Sequence, residues 1–176
     1  MILPLESVLN GREERALKQR ELLLSMHESF SAMERDAGFI CQIALNVPGY
    51  PKRIPNDEEA VCQFTKLFLD EFEEPFIKDL CLINGAGYCW IGVFEGDREE
   101  ALRAKMCAVE LEERLRAGRV FDIDIITKDG AISRKDVGLP PRKCFFCGND
   151  AKICSKERAH YLPALRNHVV LALLEI

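Results

Sequence analysis

Asp122 and Asp124, one residue apart in Arg119-Val-Phe-Asp-Ile-Asp-Ile-Ile126, carry the sharpest chemical signal in the chain. Val, Phe and Ile dominate this stretch, so it reads as a strand. Alternation then sends Phe121, Ile123 and Ile125 into a core and sets the two carboxylates side by side on the other face, about 7 Å apart. Carboxylates that close repel one another. A hard divalent cation, Mg²⁺ or Mn²⁺, resolves the repulsion and can in turn hold substrate phosphates. The plainer reading is a half-exposed strand whose solvent face happens to carry two acids. The neighbours favour the metal: Gly118-Arg119 stands just before the pair, and basic residues follow it. From Ala131 to His160 there are seven bases (Arg134, Lys135, Arg142, Lys143, Lys152, Lys156, Arg158) against three acids (Asp136, Asp150, Glu157). That segment is +4 in a chain of net charge −5, which leaves −9 elsewhere. A basic patch beside a phosphate-type metal site favours an anionic substrate or an acidic partner surface. The acidic remainder argues against general nucleic-acid binding.

Three other groups bear chemistry. Cys144, Cys147, Cys154 and His160 give C-x2-C-x6-C-x5-H, compatible with tetrahedral structural Zn²⁺. The second pair is not spaced as in a standard finger, and the other five cysteines show that this chain uses Cys freely as a small core residue. Thiols packed under the basic segment, with His160 contacting a substrate phosphate, is therefore the alternative. Arg12 and Arg15 fall in the first turn of an expected helix, the wrong end for positive charge. They either face an anionic ligand with the free helix amides or lie on a solvated surface offset by Glu13 and Glu14. Lys52 and Arg53 close the Pro/Gly-shaped loop Asn46-Val-Pro-Gly-Tyr-Pro51, within reach of a phosphate at a strand end or forming a simple turn. His27 and His168 sit in helical segments and read as surface or core residues.

The elements that must position these groups are marked by one start signal, Asn or Asp with Glu three residues on. Asn10…Glu13 predicts a helix to about Phe30. Asn56…Glu59 predicts one to about Phe72, with Val61, Phe64 and Phe68 inward. Asp97…Glu100 predicts a longer one, with Leu102, Met106 and Val109 inward and Gly118 as C-terminal cap. Strands are expected at Phe39–Val47, Ile77–Ile83, Tyr88–Phe94 and Val120–Thr127. Turns are expected at Asn84-Gly-Ala-Gly87 and Lys128-Asp-Gly130, with a short partner strand at Ala131–Arg134. Strand, helix, strand, strand, helix, strand is the βαββαβ order of a ferredoxin-like split sheet, so the fold class is α+β. An N-terminal helix precedes it, and a C-terminal Cys-rich basic segment ending in a helix follows.

A length of 176 residues suits one domain, with a core at about 38–135 and the Cys-rich segment at about 140–176. Hydrophobic content of 48% and charged content of 30% are those of an ordinary globular protein. No apolar run approaches the roughly 20 residues of a membrane span. The N-terminus lacks a basic region and a signal-peptide core, so export is not expected. Eight cysteines without such a signal point to reduced thiols in a cytoplasm.

Motifs spread over nearly the whole chain resemble one family. They are Gly11-Arg12-Glu-Glu-Arg15…Gln19-Arg20, Asn46-Val-Pro-Gly49 with Lys52, Glu110-Leu-Glu-Glu113, Gly118-Arg-Val-Phe-Asp-Ile-Asp124, Asp129-Gly, Ile132-Ser-Arg134, Gly138-Leu-Pro-Pro-Arg-Lys-Cys144, Cys147, Ala151, Cys154 and His160. The chain resembles the holo-acyl-carrier-protein synthases of citrate lyase, the apo-citrate lyase phosphoribosyl-dephospho-CoA transferases. It departs from their pattern at Ser155-Lys156, where the family tends to have Ala-Arg, and at Tyr161, where it often has Ser. The resemblance implies transfer of a prosthetic group from 2′-(5-triphosphoribosyl)-3′-dephospho-CoA to a serine of the carrier subunit of citrate lyase, with release of diphosphate. Under it, Asp122 and Asp124 would hold Mg²⁺. Arg119, Arg134, Arg142 and Lys143 would grip phosphates or nucleotide, Arg12 and Arg15 would add to that grip, and the basic segment would meet an acidic carrier. A shorter stretch, the long helix and the strand after it, is similar to the pyrophosphokinase of folate synthesis. There a like Arg-x-x-Asp-x-Asp holds Mg²⁺ against ATP phosphates. Two rivals stay open: an Mg²⁺-dependent pyrophosphokinase or phosphotransferase acting on a small molecule, and a non-catalytic, zinc-stabilised module that binds citrate lyase.

Overall fold

The computed structural model describes residues 4–31 and 38–176, with the side chains of 5–26 and 38–176. Among them the elements run α1 (Pro4–Ser31), β1 (Phe39–Leu45), α2 (Asp57–Phe72), β2 (Phe76–Asn84), β3 (Gly87–Phe94), α3 (Arg98–Arg114), β4 (Phe121–Thr127), β5 (Gly130–Ile132), α4 (Ala151–Glu157) and α5 (Leu162–Leu173). The strands form one sheet in the order β2-β3-β1-β4-β5, and every neighbouring pair is antiparallel. The class is α+β, a mixed helix and antiparallel-sheet fold.

The two faces of the sheet are covered by different helices. Odd-numbered residues of β1 and β4 (Phe39, Cys41, Ile43, Phe121, Ile123, Ile125) enter the main core with Val61, Phe64 and Phe68 of α2 and Ala101, Ala104, Ala108 and Leu111 of α3. Phe64 stacks on Phe121 at 4.0 Å between ring centroids. Five phenylalanines there are at most 1% exposed (Phe39, Phe64, Phe68, Phe94, Phe121), and each contributes roughly 1.5–3 kcal/mol by leaving water. On the opposite face Leu22 and Met26 of α1 pack on Ile40, Ala44, Ile91 and Val93. The even-numbered side of β4, with its two aspartates, therefore looks toward α1.

The Asp97 box forms as expected: its carboxylate accepts from the N–H of Glu99 and Glu100, and Glu100 bonds back to the Asp97 N–H. Four details differ. α1 begins at Pro4, a residue suited to a first helical turn because its missing N–H has no partner there anyway. Asn10 is thus interior, and Arg12 and Arg15 lie in the helix body rather than at an N-terminus with free amides. Asn56 precedes α2 with φ 63° and makes no side-chain cap. Met106 is 55% exposed, because the inward face of α3 is the alanine stripe with Lys105, Leu111 and Glu112. Gly118 does not cap α3, which ends at Leu115; a Cβ there would meet Leu111 O at 2.5 Å, so close packing is what requires glycine. No helix among the described residues is long and apolar enough to cross a membrane.

Candidate active site

The β1–β4 register sets Asp122 opposite Ala44 and Asp124 opposite Gln42. Ala44 leaves open space above Asp122. Gln42 is the one polar residue in Phe-Ile-Cys-Gln-Ile-Ala-Leu of β1. It accepts from Gln19 Nε2 at 2.8 Å and donates to Asp124 Oδ2 at 3.5 Å, so α1 is tied to the aspartate pair through one amide. Arg12, Arg15, Ala16 and Gln19 recur at helical spacing and present one face of α1 to this end of the sheet. Between them and the aspartates is a cavity of about 250 Å³, closed on its third side by Lys52.

This cavity is short of negative charge on its α1 side. Lys52 is held below its ordinary pKa by burial first, then by repulsion from Arg12, Arg166 and Arg15. Arg15 is likewise lowered, chiefly by burial with Arg12 adding to it, although Cys89, Asp122 and Glu14 oppose the shift. One Arg15 nitrogen, Nη2, donates to Ala86 O at 2.9 Å, while its Nε is buried without a partner. Cations packed against cations with donors to spare form a ready site for a polyanion. Across the cavity, Asp124 is pushed up to about 6 by burial, with the neighbouring Asp122 as the next cause. A buried carboxylate beside a second, more exposed one fits a divalent cation. Two is also the number Mg²⁺ takes when water and substrate phosphates complete its shell.

Cations also close the outer edge of β4. β5 pairs only with residues 125–127, leaving the carbonyls before them unpaired on that edge. Lys105, buried in α3, donates to Ile123 O at 2.8 Å. Arg142 donates to Phe121 O, to Arg119 O at 3.2 Å and to Asp122 Oδ1 at 3.0 Å, and its Nε lies 3.7 Å from Glu112 Oε2. Glu112 is 3% exposed, and burial raises its pKa against the pull of Arg142, Lys105 and Arg134. Asp122 is thereby held from the edge, its side chain 54% exposed toward the cavity.

A second cavity of about 610 Å³ adjoins the first, sharing Arg12, Asn46, Val47 and Lys52 with it. Its walls are the loop after β1, the segment Arg142–Phe145, the outer face of α4 and the start of α5. Gly49, at φ +70°, packs against Leu162, and Arg166 donates to Pro48 O and Pro51 O at 2.8 Å each, fastening the loop to α5. The far wall holds Cys144, Cys154 and His160, which with Cys147 bring their ligand atoms within 4.8 Å of one another, a group that can hold a metal ion. A backbone hydrogen bond from Asn149 holds the Cys147 thiol below its ordinary pKa. The eight cysteines are free.

Of the residues singled out from the sequence, Asp122, Asp124, Arg12, Arg15 and Lys52 meet in the first cavity, and Arg142, Lys143 and His160 line the second. Arg119 and Arg134 line neither. Arg119 donates to Lys143 O and so anchors the basic segment, while Arg134 pairs with Glu112 and Glu113 at 3.4 and 2.8 Å. Arg53 is occupied by Asp57 and Glu58 at 2.6 and 2.5 Å. His168 stacks on Phe145 at 5.5 Å, and the side chain of His27 lies outside the described residues. Gln19, Gln42, Lys105, Glu112 and Arg166 were not anticipated. A polar residue isolated in an apolar strand marks Gln42, and a lone cation in an apolar helix marks Arg166.

A family model described as apo-citrate lyase phosphoribosyl-dephospho-CoA transferase matches residues 3–175. The chain belongs to this family. A relative from Streptococcus pyogenes serotype M18 (strain MGAS8232), named probable apo-citrate lyase phosphoribosyl-dephospho-CoA transferase, is 29% identical over 170 residues, covering 94% of this chain and 82% of the relative. An Escherichia coli O9:H4 (strain HS) protein, named apo-citrate lyase phosphoribosyl-dephospho-CoA transferase, is 38% identical over 73 residues, 41% of this chain and 40% of that one. Family and relatives alike carry the name of a transferase, so the chain is an enzyme of that kind. The cavity of Asp122 and Asp124 is the candidate site for its reaction.

Proposed function

We propose that residues 1–176 act as one catalytic domain that moves the 2′-(5-phosphoribosyl)-3′-dephospho-CoA group from its triphosphate precursor to a serine of the apo acyl carrier subunit of citrate lyase. The observation carrying this reading is the pairing, in a member of this family, of a buried carboxylate raised beside its neighbour with cations that form no ion pair among the described residues. A triphosphate linked to a ribose supplies the missing negative charge. The serine Oγ attacks the phosphorus nearest the ribose and its proton passes to water or a carboxylate. The bond from that phosphorus to the diphosphate oxygen breaks, leaving a phosphodiester on the carrier and free diphosphate.

Asp122 and Asp124 would hold Mg²⁺, whose charge offsets that of the triphosphate and the departing diphosphate. Arg12, Arg15 and Lys52 hold the outer phosphates on the α1 side. Arg142 fixes Asp122 and the β4 edge, so the carboxylates present constant geometry. Positioning and charge neutralisation of this type supply most of the acceleration in phosphoryl transfer. Zinc at Cys144, Cys147, Cys154 and His160 serves structure, and the basic segment around it meets an acidic carrier, raising the encounter rate. We read the sheet as ferredoxin-like: the order β4-β1-β3-β2, with α2 and α3 on one face, supports a split βαββαβ arrangement. Free thiols throughout support a cytoplasmic location.

The test is the intact mass of apo carrier subunit after incubation with this protein, Mg²⁺ and the triphosphoribosyl donor. The expected result is a gain equal to the donor minus diphosphate, abolished by EDTA and by Asp122→Asn. No gain with folded protein, together with transfer from ATP to a small acceptor, would replace this reading by a pyrophosphokinase. Full activity in Asp122→Asn would remove the aspartates from the mechanism.

A further inference from the structure

Resting on that reading of the donor, we propose that the larger cavity is a zinc-built subsite for the dephospho-CoA half of the donor, distinct from the triphosphate subsite at Asp122 and Asp124. All four ligand atoms lie within 4.8 Å of one another, and two of the pairs already have the spacing a tetrahedral site needs. Cys144 Sγ lies 3.4 Å from His160 Nε2, and Cys147 Sγ lies 3.5 Å from Cys154 Sγ. Tetrahedral Zn²⁺ with its usual bond lengths sets such atoms roughly 3.4–3.8 Å apart. The backbone is shaped for it. Gly148 N–H donates to Cys144 O at 2.9 Å and Gly148 takes φ +79°, giving a tight knuckle between the first two cysteines and the helix. Asp150 caps α4, which carries Cys154, and Arg158 at φ 49° ends it so that the chain returns His160 to the cluster.

The decisive observation is what else this segment lacks. Across residues 143–160, all described, the only buried side chains are Cys144 and Cys154, which are themselves ligands. Two small buried residues, with Phe145 half-buried against the main core and stacked on His168, make little core of their own, and a bound metal would add the missing stabilisation directly as folding free energy. The same segment brings Lys143, Arg158 and His160 to the cavity, facing apolar Val47, Leu162 and Leu165. A wide cavity with apolar walls and cations at its rim suits a nucleotide. The narrower one, about 250 Å³ and lined by Arg12, Arg15, Lys52 and the aspartates, suits phosphates and metal. The two share Arg12, Asn46, Val47 and Lys52, so one ligand carrying two separate anionic groups, a triphosphate and the diphosphate inside dephospho-CoA, spans both.

The test uses the full chain, metal analysis, and calorimetric titration with two separate probes: 3′-dephospho-CoA and inorganic triphosphate. One zinc per chain is expected, and replacement by Co²⁺ should give the absorption of tetrahedral thiolate coordination. Dephospho-CoA should bind without Mg²⁺ and equally well to Asp122→Asn. Its affinity should fall by about tenfold or more in the Lys143→Ala/Arg158→Ala double variant, which keeps all four ligands, and vanish on zinc removal, returning when zinc is restored. Triphosphate should bind only with Mg²⁺, fail with Asp122→Asn, and survive zinc removal. Absence of zinc from the folded protein overturns the proposal, as does dephospho-CoA binding indifferent both to zinc and to Lys143 and Arg158. Binding with these dependences but no carrier modification would overturn the transferase reading and leave the subsite standing. Carrier modification at full rate by zinc-free protein would do the reverse.

Discussion

Replacing Asp124 by Asn separates the cost of the carboxylate pair from its use. In the folded chain Asp124 is raised from 3.8 to about 6, first by burial and then by Asp122, with Glu112 adding and Lys105 and Arg142 opposing. Between about pH 4 and about pH 6 the folded state holds a proton at Asp124 that the unfolded chain has released, so stability falls as pH rises through that window and levels off above it. A shift of about two units corresponds to a penalty of about 3 kcal/mol at pH 7–8. Asp124→Asn cannot ionise and escapes it. The amide keeps the shape of the side chain and can still meet Gln42. Urea denaturation from pH 4.5 to 8 in EDTA should find the variant more stable by about 1 kcal/mol at the acid end and by up to about 3 kcal/mol at the alkaline end. Mg²⁺ at millimolar concentration should narrow that gap by stabilising wild type alone, because only the carboxylate pair attracts it. The variant should also lose transfer activity. Parallel pH profiles for the two proteins, or equal stabilisation of both by Mg²⁺, would refute the account of Asp124 as a strained ligand.

Four other substitutions probe the surrounding structure. Arg12→Ala removes an exposed cation that repels Lys52 and has no hydrogen bond or ion pair among the described residues, so stability should change by less than about 0.5 kcal/mol while the KM for the donor rises about tenfold, read by steady-state kinetics. Lys105→Met leaves Ile123 O without its donor and Asp124 without its strongest opposing cation. It should cost about 1–3 kcal/mol in urea denaturation and move the Asp124 carboxyl titration, followed by NMR, to higher pH. Arg142→Lys keeps the charge but loses the fork that spans Phe121 O and Asp122, so kcat should drop more than KM changes. Gly118→Ala drives a Cβ into Leu111 O and the Glu112 Cα, at 2.5 and 2.8 Å, and should lose about 2 kcal/mol with a melting point lower by several degrees.

What could be read from the sequence was whatever a local period or a fixed spacing encodes. Phe-Asp-Ile-Asp-Ile announces both a buried face and a paired carboxylate face, and the structure has both. Asp97…Glu100 announces a capping box that forms. C-x2-C-x6-C-x5-H does bring its four ligand atoms together. The failures have a common physical origin, since each needed knowledge of a partner element. Asn10-Gly11 looks like a place where a helix begins. Gly11 instead sits inside α1 because the β2–β3 turn crosses there: a Cβ would meet Ala86 N at 2.5 Å, and Asn84 Nδ2 donates to Gly11 O at 3.1 Å. The inward face of α3 was misplaced because alanines, chosen where a helix must approach a sheet closely, carry little hydrophobic signal beside Met106.

The same reasoning explains why the candidate phosphate-binding cations divided as they did. Composition marks a basic segment but not which of its charges are already neutralised. Arg134 and Arg142 both reach Glu112, whose burial is tolerable only with such partners. That acid was invisible as a site residue because its helix exposes most of its other carboxylates. Arg134 is consumed by Glu112 and Glu113, whereas Arg142 also reaches Asp122 and lines the larger cavity. The cations that form no ion pair among the described residues, Arg12, Arg15 and Lys52, come from the N-terminal half of a chain whose net charge there is negative. The proposed site therefore rests on a local charge imbalance created by packing α1 across the sheet, and the overall charge of −5 conceals it.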